Sequence, residues 1–262
     1  MKLDEKVALV TGAGTGVGAA TAVLLAKKGC RVAVNYRRSG EEAAKVVTSI
    51  EAAGGEAFAF QADVAMDNEA RALIEAAIAK FGHLDLLVNN AGTTEFIPFD
   101  DLDAVGDDVW QRLYQVNVVG AFHCARAAAK VMRDACRTDG AEIVNVGSIA
   151  GLKATGSCIP YAASKAALHN MTLALARTLA PDRIRVNAVA PGFITGRWLE
   201  EGLGERYETT KAAFEKAMPL GAVCTPDDVA TAILSLVEGS DLVTGQILAC
   251  DAGMSLAEPV QV

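Results

Sequence analysis

The chain has 262 residues, enough for one large α/β domain with a sizeable core. Hydrophobic residues make up 52% and charged residues 21%, ordinary globular usage that excludes a wholly disordered chain. Lys and Arg total 24 against 32 Asp and Glu, and the formal net charge of −8 argues against a broad basic footprint for nucleic acid or membrane, so a bound anion must be captured locally.

Short apolar runs alternate with Ala-rich amphipathic segments, the pattern of β-α units feeding a parallel sheet. The first predicted strand is Val7–Val10 and the first helix Val17–Lys28, stopped at Gly29. Between them lies Thr11-Gly12-Ala13-Gly14-Thr15-Gly16-Val17-Gly18, a glycine-rich turn delivering a helix N-terminus to a ligand. Glycine allows positive φ and close backbone approach, while unpaired amides and the helix dipole favour a pyrophosphate even in an acidic protein. Val17 departs from the strict G-x-G-x-x-G spacing, and an ordinary turn is the alternative.

Strand Arg31–Asn35 and helix Glu41–Ala53 follow, joined by Tyr36-Arg37-Arg38-Ser39. An NAD-binding fold usually places an acid there, on the adenosine ribose; Arg37 and Arg38 instead suit a 2′-phosphate and favour NADP(H) over NAD(H), the alternative being a solvated basic turn. Strand Ala57–Gln61 leads to Asp63, placed for an adenine amino group, and then to helix Asn68–Phe81 with Asp67 as N-cap. Strand Asp85–Val88 leads to Asn89-Asn90-Ala91-Gly92, small enough for backbone to approach a cofactor. The predicted helix Val109–Ala135 carries Asn117 inside Val116-Asn117-Val118-Val119, where a buried amide needs a partner.

Strand Glu142–Val146 precedes Ser148, and helix Ala162–Leu179 follows Tyr161-Ala162-Ala163-Ser164-Lys165. Tyr161 and Lys165 stand four apart, on one helix face. A free tyrosine titrates near 10, and an adjacent ammonium stabilises its phenolate, which suits proton transfer to an alkoxide; Ser148 can hydrogen-bond the same oxygen. Strand Arg185–Ala190 is followed by an irregular Gly192 to Leu220 excursion, a lid or substrate loop or else a surface insertion. Helix Pro226–Val237, with Thr225 as N-cap and Pro226 in its first position, and strand Gln246–Cys250 complete seven strands in one domain spanning 1–262.

The start Met1-Lys2-Leu3-Asp4-Glu5-Lys6 lacks an apolar signal region and no run approaches the roughly 20 residues that span a bilayer, so no membrane partner and a cytoplasmic location are expected. Cys30, Cys124, Cys136, Cys158, Cys224 and Cys250 are scattered without a C-x-x-C pair and read as reduced thiols. His83, His123 and His169 are equally isolated, and no metal site is expected.

In this order and spacing the motifs resemble the short-chain dehydrogenase/reductase family over nearly the whole chain. The family's Thr-Gly-x-x-x-Gly-x-Gly matches Thr11, Gly12, Gly16 and Gly18, its Asn-Asn-Ala-Gly matches residues 89–92, its tetrad matches Asn117, Ser148, Tyr161 and Lys165, and its Pro-Gly matches Pro191-Gly192. The resemblance implies an α/β fold of three-layer α/β/α Rossmann type with a seven-stranded, mainly parallel, doubly wound sheet. It implies an NADP(H) surface of Gly12, Thr15, Gly16, Val17, Gly18, Tyr36, Arg37, Arg38, Asp63, Val64, Asn89, Ala91, Gly92, Pro191, Gly192, Ile194 and Thr195, with Tyr161 and Lys165 also touching cofactor. By the same resemblance Lys165 holds the nicotinamide ribose, Asn89 supports the cofactor, and backbone near Ile194 meets the carboxamide. Thr15 stands where many NADP-preferring members carry a basic residue, and Thr195 arrives one residue earlier than the family's threonine.

The implied activity is NADPH-dependent reduction of a ketone, with oxidation of a secondary alcohol such as a sugar or polyol, or non-catalytic NADP(H) sensing, as alternatives. Thr93, Thr94, Lys153, Cys158, Phe193 and Trp198 are expected to line a pocket for a medium-sized carbonyl compound. Val243-Thr244-Gly245-Gln246 and the Asn-Tyr-Arg-Arg turn look most like 3-oxoacyl-carrier-protein reductases. An acidic carrier protein needs a basic patch, for which Arg126, Lys130, Arg133 and Arg137 are available, although Asp182 and the net charge oppose it. The family also implies a homotetramer joined through the Val109–Ala135 and Ala162–Leu179 helices.

Overall fold

In the computed structural model, which describes residues 1–134 and 140–257, the apolar runs form parallel strands β1 (Val7–Val10), β2 (Arg31–Tyr36), β3 (Ala57–Gln61), β4 (Leu86–Asn89), β5 (Ala141–Val146), β6 (Ile184–Pro191) and β7 (Ile247–Cys250). They make one seven-stranded sheet in the order β3-β2-β1-β4-β5-β6-β7, parallel at every pairing. The inner strands β1, β4, β5 and β6 are buried along their whole length, which suits the apolar runs of β1 and β4 and requires the polar Glu142, Arg185 and Asn187 of β5 and β6 to pair with one another, whereas edge strands β3 and β7 include exposed positions.

Helices α1 (Gly16–Lys27), α2 (Gly40–Ala52) and α9 (Pro226–Glu238) cover one face with Leu25, Ile50 and Ile233. On the other, α3 (Asp67–Phe81), α5 (Ala121–Asp134) and α6 (Ile159–Leu179) pack through Leu73, Cys124, Ala128 and Leu179. Each fully buried Leu or Ile in these layers contributes about 1.5–3 kcal/mol relative to exposure. No helix among the described residues is long and apolar enough to cross a membrane.

Local chemistry sets the helix ends. Thr225 and Asp228 form a capping box at the start of α9, with Pro226 in the first turn. Gly29, at φ 93°, follows the last turn of α1 as a stop. The N-cap of α3 is Met66, not Asp67, because the Asp67 carboxylate is taken by Arg71 and Arg126.

Two segments depart from the sequence reading. The long helix predicted over Val109–Ala135 is divided into α4 (Asp107–Tyr114), a π-helical turn at Gln115–Gly120, and α5; Ala135 lies outside the described residues. The Gly192 to Leu220 excursion is largely helical, containing α7 (Arg197–Leu203) and α8 (Tyr207–Ala217). It has its own small apolar centre, where Phe193 stacks on Tyr207 at 6.3 Å and meets Phe214 at 4.9 Å between ring centroids.

Candidate active site

The strand order reverses between β1 and β4, and in open parallel sheets the crevice at the carboxyl ends beside such a point receives ligands. A cleft of about 410 Å³ opens there, lined by the glycine turn after β1, the Arg37-Arg38-Ser39 turn, the exits of β3, β4, β5 and β6, and the start of α6.

The glycine turn is held by side chains from neighbouring strands. Thr11 Oγ1 accepts the N–H groups of Asn90 and Ala91, each at 3.0 Å, and Asn90 Nδ2 donates to the carbonyls of Thr11 and Gly12 at 2.9 and 3.1 Å. Asn35 Oδ1 accepts the Gly12 N–H at 3.1 Å while its Nδ2 donates to the Ala62 carbonyl at 3.0 Å, so one amide joins the turn to the exit of β3. Gly12 has φ 61°, and a Cβ there would stand 2.9 Å from the Ala91 Cα. Thr15 caps α1 without a side-chain hydrogen bond, leaving the first-turn amides open toward the cleft. Uncapped amides, close backbone and the polar rim of the cleft fit a nicotinamide dinucleotide.

Arg37 Nη1 lies 3.3 Å from Asp63 Oδ2, so the carboxylate predicted to meet adenine already faces a guanidinium, and its other oxygen accepts the Ala65 N–H at 3.0 Å. Val64, Ala91, Gly92, Pro191, Gly192 and Ile194 line the cleft along with Gly12, Thr15, Val17, Arg37, Arg38 and Asp63.

Other predicted cofactor residues are not part of the cleft lining. A Cβ on Gly18 would come within 2.5 Å of the Gly12 carbonyl oxygen, so this glycine serves helix-to-turn packing. Gly16, at φ 55°, is needed to enter α1. Asn89 is 3% exposed and donates to the Ala121 carbonyl at 3.2 Å and to Asn145 Oδ1 at 3.0 Å, fastening β4 to α5 and β5. The Tyr36 ring faces Gly40, and the Thr195 N–H is bound by the Cys224 carbonyl at 2.8 Å.

Ser148, Tyr161 and Lys165 line one end of the cleft. Ser148 Oγ accepts the Ala150 N–H at 3.1 Å, which leaves its own proton to donate elsewhere. The buried Lys165 ammonium donates to the Val146 carbonyl at 2.8 Å and lies 5.7 Å from the Tyr161 ring centroid. The sequence reading expects Lys165 to lower the tyrosine pKa. Here burial dominates, pushing Tyr161 up to about 12 against the opposing pull of its hydrogen bond with Ser148, while burial brings Lys165 down to about 8. At neutral pH this corner therefore holds a protonated phenol beside an ammonium.

Asn117, 1% exposed within the π turn, does not face the cleft. Its Oδ1 accepts the Thr93 N–H at 2.8 Å, and its Nδ2 donates to the Thr93 carbonyl at 3.0 Å and to Ser164 Oγ at 2.9 Å. The partners that this buried amide is expected to need are therefore Thr93 and Ser164, and through them it clamps the β4 exit to α6. His169, one turn beyond Lys165, accepts the Ser148 N–H at 3.4 Å, and burial together with the Lys165 charge lowers it to about 4.

Of the expected pocket residues, Thr93 and Trp198 line the cleft, Trp198 standing edge-on to Tyr161 with centroids 6.4 Å apart. Thr94 bonds to Ser157, Lys153 turns to the Met254 and Ala257 carbonyls at 3.4 and 3.2 Å, Cys158 is buried against Val109 and Leu113, and Phe193 belongs to the apolar centre with α8. Asn35, Ser39, Val116 and Arg197 also line the cleft, beyond the sequence-based expectations, as does Asn90 of the predicted Asn-Asn-Ala-Gly turn. An Asn closing the apolar run Val32-Ala33-Val34 was the available signal for Asn35, since a buried amide there requires partners. In the basic set, Arg126 is paired with Asp67 and Arg133 with Asp182, which removes two cations from a docking patch; Arg137 lies outside the described residues.

A sequence profile of the family described as short chain dehydrogenase matches residues 6–203. The chain is 37% identical over 254 residues to a 3-oxoacyl-(acyl-carrier-protein) reductase of Synechocystis sp., covering 96% of this chain and 98% of that one. It is 38% identical over 251 residues to a cis-4-hydroxycyclohexanecarboxylate dehydrogenase of Sinomonas cyclohexanicum, covering 95% and 96%. The crystal structure of acetoin dehydrogenase from Enterobacter cloacae matches with a TM-score of 0.85 at 33% identity, covering 98% of each chain.

Proposed function

The chain belongs to the short-chain dehydrogenase family, an oxidoreductase family that uses a nicotinamide cofactor, and from that premise we propose that it reduces a ketone with NADPH. The observation that carries the reading is the convergence of Ser148, Tyr161 and Lys165 at one end of the cleft, where a phenol that carries its proton at neutral pH can serve as acid. Bound NADPH supplies hydride to the carbonyl carbon. Ser148 donates a hydrogen bond to the carbonyl oxygen and Tyr161 gives its proton to the alkoxide that develops there. The nearby Lys165 ammonium stabilises the phenolate left behind. Asn117 positions α6 through Thr93 and Ser164, and Trp198 stands edge-on against the Tyr161 ring.

NADPH is favoured over NADH because the β2 exit offers Arg37 and Arg38 where an acid would repel a 2′-phosphate, the nearby Asp63 carboxylate being paired with Arg37. General acid catalysis typically contributes about 100- to 10,000-fold, so Tyr161→Phe should lower turnover on that scale while NADPH binding is kept. Retention of most activity would overturn the assignment of the proton donor. Oxidation of a secondary alcohol is the second reading, supported by relatives named as dehydrogenases. It starts from a deprotonated tyrosine, so rates measured in both directions across pH separate the two: reduction dominates at neutral pH and oxidation gains only in alkali.

The substrate belongs to the medium-sized ketones, 3-oxoacyl thioesters among them, with the neutralised arginines disfavouring a carrier protein as its vehicle. An NADPH-consumption screen over ketones, quinones, sugars and 3-oxoacyl thioesters tests this. The reading includes one NADP(H)-binding domain over 1–262 with residues 192–220 as substrate lid, in the cytoplasm. It also includes a homotetramer, supported by exposed Trp110, Tyr114 and Phe122 on α4 and α5 and Leu173 on α6; light scattering at the mass of four chains is the check.

A further inference from the structure

Cys224 and Cys250 are distant in sequence and meet behind the β6 exit. Cys224 ends the excursion that leaves β6: its N–H donates to the Phe193 carbonyl at 2.9 Å, its carbonyl takes the Thr195 N–H at 2.8 Å, and it bridges to Ile194 in parallel register. Cys250 ends β7 opposite Pro191, and its carbonyl takes the Gly192 N–H at 3.0 Å. The cleft-lining residues Pro191, Gly192 and Ile194 are thus anchored on both cysteines' backbones.

The side chains converge as well. Cys224 Sγ lies 3.1 Å from the Cys250 carbonyl oxygen, which sets its thiol beside the Cys250 residue. The neighbouring Cys224 thiol holds Cys250 below the usual thiol range, and Cys250 together with burial pushes Cys224 above it. Cys224 is 5% exposed, whereas Cys250 is only partly buried. A more accessible, thiolate-prone sulfur beside a buried partner thiol is the arrangement of a reacting cysteine and the one that resolves it. Cys30 and Cys124 differ, since burial pushes both up to about 12.

We propose that Cys224 and Cys250 form a reversible oxidation site for small hydroperoxides, closing to a disulfide that staples the wall of the cleft at the β6 exit. The Cys250 thiolate attacks one peroxide oxygen; the O–O bond breaks, the leaving hydroxide takes a proton as water, and Cys250 becomes a sulfenic acid. Cys224 then loses its proton and attacks the Cys250 sulfur, the S–O bond breaks, and the hydroxyl leaves as a second water. Two thiols are oxidised and one peroxide is reduced. Such a bond in a reducing compartment is transient, restored by exchange with dithiols. The site does not depend on the reductase reading.

The test exposes the reduced full-length protein to hydrogen peroxide, alkylates it, and digests it with a protease that cuts before aspartate, since Asp227 and Asp241 separate the two cysteines. The expected result is loss of two alkylation sites, a mass lighter by two hydrogens, and a Cys224–Cys250 linked peptide released by dithiothreitol. C224S and C250S should each abolish the link while retaining NADPH binding, and C224A stands in should C224S fail to fold. Both cysteines staying open to alkylation, or Cys250 passing on to sulfinic acid with Cys224 free, overturns the proposal.

Discussion

Arg37→Ala tests how the cleft distinguishes its cofactors. Arg37 lies at the rim, its side chain 45% exposed and 3.3 Å from Asp63, which is itself 27% exposed. A hydrogen bond to a charged group is worth roughly 1.5–3 kcal/mol, and solvent exposure places Arg37 at the lower end. The guanidinium must also be shared with Asp63, which lowers the net gain further. A loss of about 1.4 kcal/mol corresponds to an approximately tenfold weaker NADPH dissociation constant. NADH carries no 2′-phosphate, so its affinity should change by no more than about twofold by the same arithmetic. Fluorescence titration of wild type and variant with both cofactors measures this directly. Raising the salt should erode the wild-type preference, because both partners are partly solvated. Equal NADPH affinity in the two proteins, or a wild type that binds NADH more tightly, would refute the role given to this turn.

Two stability predictions accompany it. Thr225→Ala removes the capping box of α9, which should cost about 1 kcal/mol and lower Tm by about 2–4 °C; an unchanged melting curve would show that α9 is held by packing alone. His169 is 3% exposed and lowered to about 4 from 6.5, so the unfolded chain takes up its proton before the folded one does. Its contribution is intact above pH 6.5 and is lost as the pH falls through 4, amounting to about 3 kcal/mol for a shift of this size. Denaturant unfolding of wild type and His169→Asn at pH 7 and 4.5 should show the difference between them narrowing in acid, and parallel pH dependences would contradict this.

The parts of the cleft legible in sequence are those whose chemistry is local. Gly12 and Gly16 announce a backbone that other residues adopt only rarely, and both have positive φ. The four-residue spacing of Tyr161 and Lys165 needs only a helix to bring them together, and Thr225 needs only Asp228 three residues on. What escaped depends on distant partners. Asn89 reads as a cofactor contact until Asn145 and the Ala121 carbonyl are placed beside it. Asp63 reads as an adenine acceptor from its place after β3, and its pairing with Arg37 from the neighbouring strand is visible only in the fold. That Tyr161 and Lys165 share a helix face follows from spacing, but the burial that raises Tyr161 and lowers Lys165 follows only from the packed α6. Glycines and charges concealed α7 and α8, whose apolar contacts are made by Phe193, Tyr207 and Phe214.

The π turn at Gln115–Gly120 has the effect of one residue inserted into a continuous helix. Each residue advances an α-helix by about 100°, so the insertion turns α5 relative to α4 by roughly that angle. Leu113 can then face Cys158 on one side while Cys124 and Ala128 face α3 and the sheet on another, with Asn117 reaching Thr93 and Ser164 between them. Gly120 lets the turn lie against Val64, since a Cβ there would fall 2.9 Å from a Val64 methyl. A plain helix of this composition would satisfy only one of the two packing faces. The constraint on this stretch is therefore its residue count as much as its side chains: a conservative substitution leaves the phase between α4 and α5 intact, while a one-residue deletion removes it.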